Sequence, residues 1–194
     1  GLYTLMDPVT KKAAVVIDAI TVFDRIVDRA WRTGEPGVLF IDAANRANPT
    51  PWLGDFEATN PCGEQWLLPY ESCNLGSINL GNFVRENKTI DYSRLNTVIR
   101  CAVRFLDNVV DCNNFPIPEI AEMTKSTRKI GLGIMGLHDM LIQMELPYDS
   151  EEGRKVSAQV MQFVQETALS YSEKLASDKG VFPACCAAPE TAPY

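Results

Sequence analysis

The sequence predicts an α/β fold, because short apolar runs of strand length alternate with longer segments that have helical spacing. One run, Gly37–Asp42, has four consecutive apolar residues, as in a strand buried in a parallel sheet. A second candidate strand covers Leu75–Leu80. Long helical patterns begin at Ser93 and at Ser150. At 194 residues and 46% hydrophobic, the chain has the composition of a globular domain or of part of one.

The first predicted helix begins after Asp18, which can cap its free N–H groups, and ends at Gly34. Its apolar face consists of Ile20, Phe23, Ile26, Val27, Ala30 and Trp31. The predicted strand Gly37–Asp42 follows. Residues 43–59, rich in Asn, Pro and Gly, are expected to form a loop.

The helix predicted from Ser93 is apolar on one face, and Pro116 and Pro118 end it. That face contains Leu95, Val98, Ile99, Ala102, Val103, Leu106, Val109 and Val110. Cys101 and Cys112 are eleven residues apart, close to three turns, and we expect both to be buried and inert.

Three further helices are predicted towards the end of the chain. One starts at Pro118, since proline suits a first turn, and a buried one covers residues 134–145. The last begins at Ser150, with two acidic residues in its first turn, and closes at Gly180. Its apolar face is Val156, Val160, Phe163, Val164, Tyr171 and Leu175. Residues 184–194, including Cys185 and Cys186, are expected to be irregular, and no role is assigned to these two thiols.

The segment Asn60-Pro61-Cys62-Gly63-Glu64 places an amide, a thiol and a carboxylate at alternating positions. Pro61 and Gly63 disfavour a helix, so the segment is either extended or a tight loop. In an extended chain the three polar side chains would point to one side. A carboxylate close to a thiol disfavours the thiolate, so this arrangement suits a neutral S–H that gives up a hydrogen atom.

Several motifs together resemble the catalytic subunit of ribonucleotide reductases, and within that family the adenosylcobalamin-dependent class, class II. They are Asn60–Glu64, Leu67–Tyr70, Glu71–Leu80, Gly37–Asp42 with Asn45–Pro51, and Arg128–Leu137. They occur in family order between Gly1 and about Pro183. The resemblance implies that residues 1–183 are a section of a ten-stranded α/β barrel, with a finger loop that carries the radical cysteine. The chain, which starts at Gly1 rather than Met, is then expected to be an internal section of a longer polypeptide and inactive by itself.

The resemblance also implies roles for the motif residues. Cys62 would become a thiyl radical and remove the 3′-hydrogen of a ribonucleotide. Glu64 would accept the proton of the 3′-hydroxyl, and Asn60 would orient the ribose, with Asn60–Glu64 as the substrate-binding segment. Cys73 would be one thiol of the redox-active disulfide, with its partner upstream of Gly1.

The implied activity is the reduction of ribonucleotides to deoxyribonucleotides for DNA synthesis and repair, by a ribonucleoside-diphosphate reductase that uses adenosylcobalamin. Its substrate would be a ribonucleoside di- or triphosphate and its reductant a thioredoxin-like dithiol protein, with dNTP or ATP effectors in a homo-oligomeric, cytoplasmic enzyme. The cofactor contacts cannot be located, and no metal ligands are expected. The alternative is a class I large subunit, whose radical comes from a metal-containing small subunit.

Composition and spacing argue against other function classes. The net charge of −7 does not suit a non-specific nucleic-acid binder, and no apolar run reaches the roughly 20 residues of a membrane span. Residues 131–136 match GxGxxG, but the polar residues before them do not form the buried strand that a dinucleotide-binding turn requires. Zinc is disfavoured because there is no CxxC motif and His138, expected to be structural or on the surface, is the only histidine.

Overall fold

The computed structural model describes residues 1–189, which form two compact units, Gly1–Ile41 and a second that begins at Asp42. The first unit contains strands β1 (Leu2–Met6) and β2 (Ala13–Asp18), which pair antiparallel, and helix α1 (Ala19–Thr33). As predicted, Asp18 caps α1 by accepting from the backbone N–H of Ile20. Gly34 ends the helix in the left-handed conformation. The β1–β2 hairpin was not among the elements predicted from the sequence.

The strand predicted over Gly37–Asp42 is wrong. Residues 35–40 have no regular structure, and helix α2 covers Ile41–Arg46. An apolar run indicates that burial is favourable, but a strand also needs a neighbour for its N–H and C=O groups. Within residues 1–189, no strand pairs with this run, and its apolar side chains are exposed.

The second unit continues with a short antiparallel pair, β3 (Ala58–Thr59) and β4 (Trp66–Leu67). The predicted second strand is confirmed as β5 (Asn74–Asn79), which pairs in parallel with β6 (Ile130–Met135). Single 3-10 turns cover Pro51–Leu53 and Leu80–Phe83.

Two helices connect β5 to β6. They are α3 (Tyr92–Cys112) and α4 (Pro118–Thr127), a crossover of the kind that parallel strands require. The N-cap of α3 is Asp91, which accepts from the N–H of Arg94, and not the predicted Ser93. The β5–β6 pair with its connecting helices confirms the predicted α/β class.

Helices α5 (Leu137–Gln143), α6 (Glu151–Lys179) and α7 (Pro183–Cys186) complete the described chain. The helix predicted over residues 134–145 begins later, because residues 134 and 135 belong to β6. Ser150 and Gly180 bound α6 as predicted. The one-turn helix α7 replaces the first part of the tail expected to be irregular, and residues 190–194 lie outside the described part.

The core of the second unit is the buried face of α3, packed against β5, β6 and α6. On α3 it comprises Leu95, Ile99, Val103, Leu106 and Val110. The prediction that Cys101 and Cys112 are buried is wrong, since both are exposed. Each lies two residues from a buried position, which is about 200° around a helix and therefore on the opposite side. Among residues 1–189, no helix is long and apolar enough to cross a membrane.

Candidate active site

The motif Asn60–Glu64 forms the turn between β3 and β4. Hydrogen bonds close the turn from both ends: Asn60 N donates to Gln65 O at 3.3 Å, and Gly63 N donates to Asn60 O at 3.1 Å. Gly63 has φ +82°, a conformation that glycine adopts without strain. The segment is therefore the tight loop rather than the extended chain, and Cys62 lies at its tip.

The side chains of this loop have different surroundings. Asn60 is half-buried, and its Oδ1 accepts a hydrogen bond from Gln65 N at 3.1 Å. Among the described residues its amide nitrogen has no acceptor and remains free to donate. Cys62 and Glu64 are exposed. One short turn thus brings the three predicted residues together, but Asn60 is held by the loop backbone while Cys62 and Glu64 extend towards solvent.

Cys73 lies immediately before β5 and is half-buried. Burial raises the pKa of its thiol above the ordinary value, and the negative charge of Glu64 raises it further. Lys129 lowers this pKa, and Glu71 raises it. Glu64 therefore affects the ionisation of Cys73, the second predicted thiol. In this environment Cys73 remains a neutral S–H at pH 7.

Neighbouring residues hold the backbone on either side of Cys73. Ser72 N donates to Thr124 Oγ1 at 3.3 Å, and the two hydroxyl oxygens are 2.8 Å apart. On the other side, Asn74 Nδ2 donates to Leu106 O at 3.0 Å. These bonds connect the thiol-bearing segment to α4 and α3, so Cys73 is placed by elements of the folded core.

An ion pair that was not predicted from the sequence lies beside this thiol. Lys129 Nζ lies 2.6 Å from Glu71 Oε2 and donates to Trp66 O at 2.8 Å. The same carboxylate oxygen accepts from Leu68 N at 2.8 Å. Glu71 and Lys129 are 58 positions apart, so only the pairing of β5 with β6 could have indicated their contact.

The remaining motifs lie outside this site. Gly131 and Gly133 belong to strand β6, whereas the glycines of a dinucleotide-binding turn would follow the strand. Gly136 is the N-cap residue of α5. His138 is exposed, with its ring 5.3 Å from the ring of Tyr148. All six cysteines are free thiols. Within residues 1–189, no three His, Cys, Asp or Glu side chains are grouped so as to hold a metal ion.

The family model for the ribonucleotide reductase barrel domain matches residues 2–190. A vitamin B12-dependent ribonucleoside-diphosphate reductase of Thermoplasma acidophilum is 51% identical over 180 residues, 93% of this chain and 23% of that relative. A reductase of Mycobacterium tuberculosis with the same name is 48% identical over 184 residues, 95% of this chain and 26% of the relative.

A more distant relative is the ribonucleoside-diphosphate reductase large subunit of Danio rerio. It is 32% identical over 177 residues, which are 88% of this chain and 22% of that protein. The chain thus spans about a quarter of the length of the curated relatives it matches.

Proposed function

The chain belongs to the ribonucleotide reductase barrel-domain family, as its motifs predicted, and from this we propose that it is the part of a longer reductase that carries the radical thiol and one redox thiol. The observation that carries the proposal is the β3–β4 turn. It presents Cys62 at its tip, with Asn60 and Glu64 in the same turn. Cys73 lies close enough for Glu64 to affect its ionisation.

In the proposed reaction, the sulfur of Cys62, as a thiyl radical, takes the hydrogen atom from C3′ of a ribonucleotide. Glu64 takes the proton of the 3′-hydroxyl, and the free amide N–H of Asn60 donates to a ribose hydroxyl. The 2′-hydroxyl leaves as water. Cys73 and its partner thiol supply two electrons and two hydrogens and end as a disulfide, so one ribonucleotide and two thiols yield one deoxyribonucleotide, one disulfide and one water.

The surroundings of Cys73 support this role. A thiol that delivers hydrogen to a substrate has to stay protonated until it reacts. Burial and the charge of Glu64 hold the pKa of Cys73 above its ordinary value, which keeps the S–H form. A nucleophilic cysteine would need the opposite environment, with its pKa lowered by nearby positive charge.

We propose adenosylcobalamin as the source of the radical. The relatives at 48–51% identity have names that state vitamin B12 dependence, whereas the zebrafish relative at 32% is a large subunit. The chemistry that adenosylcobalamin supplies when bound is cleavage of its cobalt–carbon bond into two radicals. Cys62 fits such a donor because its thiol is exposed at the turn and therefore accessible to a radical formed outside this chain.

The substrate would be a ribonucleoside di- or triphosphate, and a thioredoxin-like dithiol protein would reduce the disulfide by exchange. We further propose that the longer enzyme binds nucleotide effectors, forms a homo-oligomer and is located in the cytoplasm.

The test is Cys62→Ser in the complete polypeptide that contains these residues, with deoxynucleotide formation measured in the presence of adenosylcobalamin and a dithiol. We expect formation to fall to background, because an alcohol O–H bond is too strong for serine to replace the thiol. Cys101→Ser is the matched control, since Cys101 is an exposed thiol on the outer face of α3, and it should retain activity. Turnover by Cys62→Ser would refute the radical role. Activity that needs a metal-containing second subunit instead of adenosylcobalamin would favour the class I alternative.

A further inference from the structure

Lys129 occupies a defined position beside the redox thiol. Strands β5 and β6 are parallel, with Asn74 opposite Ile130. Cys73 and Lys129 each immediately precede one of these strands, so they lie at the same end of the pair. A lysine is thereby brought next to a thiol that is 56 positions away in the sequence.

The ammonium group of Lys129 is held by three contacts. It donates to Trp66 O at 2.8 Å, lies 2.6 Å from Glu71 Oε2, and is 4.9 Å from the centroid of the Phe56 ring. The side chain of Glu71 is 0% exposed and that of Lys129 is 17% exposed. A buried carboxylate requires a paired cation, so neither group can leave the pair at low cost. The position of the charge is therefore fixed by the fold.

These contacts join the two thiol-bearing segments. Trp66 belongs to β4, the strand that follows the Cys62 turn, and Glu71 lies two residues before Cys73. We propose that Lys129 is a positioning residue, which holds the Cys62 hairpin against the Cys73 segment and supplies the positive charge that favours the thiolate of Cys73 during disulfide exchange. This inference rests on the proposed function in one respect, because it requires that Cys73 forms a disulfide that is then exchanged.

The charges that face Cys73 come from three segments. Glu64 lies in the β3–β4 turn, Glu71 precedes β5, and Lys129 precedes β6. After burial and Glu64, which raise the pKa of Cys73, the opposing effect of Lys129 is the next largest and exceeds that of Glu71. Lys129 therefore opposes burial and Glu64, the two effects that keep the Cys73 thiol protonated.

The exchange step gives this charge a use. A thiolate of the external dithiol attacks the partner sulfur, a new S–S bond forms, and the bond to Cys73 breaks. Cys73 leaves with the electron pair as a thiolate, which the nearby ammonium stabilises, and a proton from water then restores the neutral thiol. The second thiolate of the dithiol then attacks the mixed disulfide and releases the partner thiol, so the dithiol supplies both electrons and is itself oxidised to a disulfide. A leaving thiolate that is better stabilised leaves faster.

The test is the rate at which iodoacetamide alkylates Cys73, measured against pH in the reduced, complete polypeptide, with each cysteine resolved by peptide mass spectrometry. Glu71→Gln should shift the Cys73 profile to lower pH, because it removes a negative charge. Adding Lys129→Met to that variant should shift the profile back to higher pH, with slower alkylation at a given pH.

Lys129→Arg keeps the charge and should stay near the wild-type profile. Lys174→Met, which removes an exposed lysine of α6, is the matched control and should leave the profile unchanged.

A purely structural role predicts a different result. If loss of the pair only loosened the segment, Cys73 would become more exposed, and both Glu71→Gln and the double variant would alkylate faster. That outcome, or no shift in either variant, overturns the proposal. Should the double variant fail to fold, Lys129→Gln in the otherwise wild-type protein decides it: loss of the positive charge should slow alkylation of Cys73 at a given pH, whereas loosening of the segment alone would accelerate it. Alkylation requires neither substrate nor turnover, so this result is independent of the Cys62→Ser test.

Discussion

Arg128 shows how a single side chain can organise the charges around it. It ends α4 in the left-handed conformation, with φ +49°, and its guanidinium faces α3. There it donates to Asp107 Oδ1 at 2.9 Å and to both carboxylate oxygens of Asp111 at 2.7 and 3.0 Å. Lys179, at the end of α6, contacts the same two carboxylates. One arginine and one lysine therefore hold α3, α4 and α6 together through two acidic residues.

This network predicts a pH dependence of stability. The hydrogen bond from Arg128, with a smaller contribution from Lys179, lowers the pKa of Asp111 to about 2. A pKa lowered by folding adds stability above the unfolded value near 3.9, and this stability is lost as the pH falls towards 2. Asp111→Asn should therefore lower the free energy of unfolding at pH 7. The loss should be about 1 kcal/mol or less, because the side chain is 47% exposed and solvent weakens the pair.

Urea denaturation of both proteins at pH 7, 5 and 3 measures this difference, which should shrink at the lowest pH. Asp178→Asn, which removes an exposed pair within one helix, is the control and should cost only a few tenths of a kcal/mol. An Asp111→Asn difference that grows on acidification would contradict the ion-pair explanation.

At the level of elements, the sequence predicted what local chemistry determines. Asp18, Gly34, Ser150 and Gly180 bound their helices as expected, because a cap depends on a few adjacent residues. Pro61 and Gly63 likewise limited the Cys62 segment to two conformations, one of which forms.

The errors have a non-local cause. The run Gly37–Asp42 is apolar enough for a buried strand, yet its sequence does not reveal whether a neighbouring strand exists. The spacing of Cys101 and Cys112 showed that they share a side of α3, but not that the core contacts the other side. The Glu71–Lys129 pair depends on the β5–β6 register, which no local pattern encodes. In each case the missing information was a partner distant in sequence.

The glycines at the β6–α5 junction give a prediction for a single element. Gly136 has φ +68°, and a Cβ at this position would overlap the side chain of Asn79, whose Oδ1 accepts from Gly81 N. Gly136→Ala should therefore destabilise the protein by about 1–3 kcal/mol, from backbone strain and the clash. A Cβ at Gly133 would meet its nearest atom, Ser77 Oγ, at an ordinary 3.7 Å.

Gly133→Ala is thus the matched control and should change the free energy of unfolding by well under 1 kcal/mol, measured by urea denaturation of both variants. An equal loss of unfolding free energy in the two variants would mean that the packing of strand β6, and not the left-handed backbone of Gly136, requires glycine at these positions.

At the scale of the whole chain, the two units differ in how much they bury. The first has no buried residue, and the apolar face of α1 is exposed at Ile20, Phe23, Val27 and Trp31. The second contains a continuous core between β5, β6, α3, α5 and α6. Burial of apolar surface is the main source of folding free energy, so the two units should differ in stability within this chain.

Native-state hydrogen exchange of the 194-residue chain, followed by mass spectrometry, tests this difference. Amides of α3 should exchange only through cooperative opening of the core, whereas those of β1, β2 and α1 should exchange at least about 100-fold faster, because their hydrogen bonds open without exposing buried side chains. Helices α1 and α3 both have side-chain caps, so capping alone would not separate them. Equal protection of α1 and α3 would contradict this prediction. It would show that the apolar face of α1 is covered in solution.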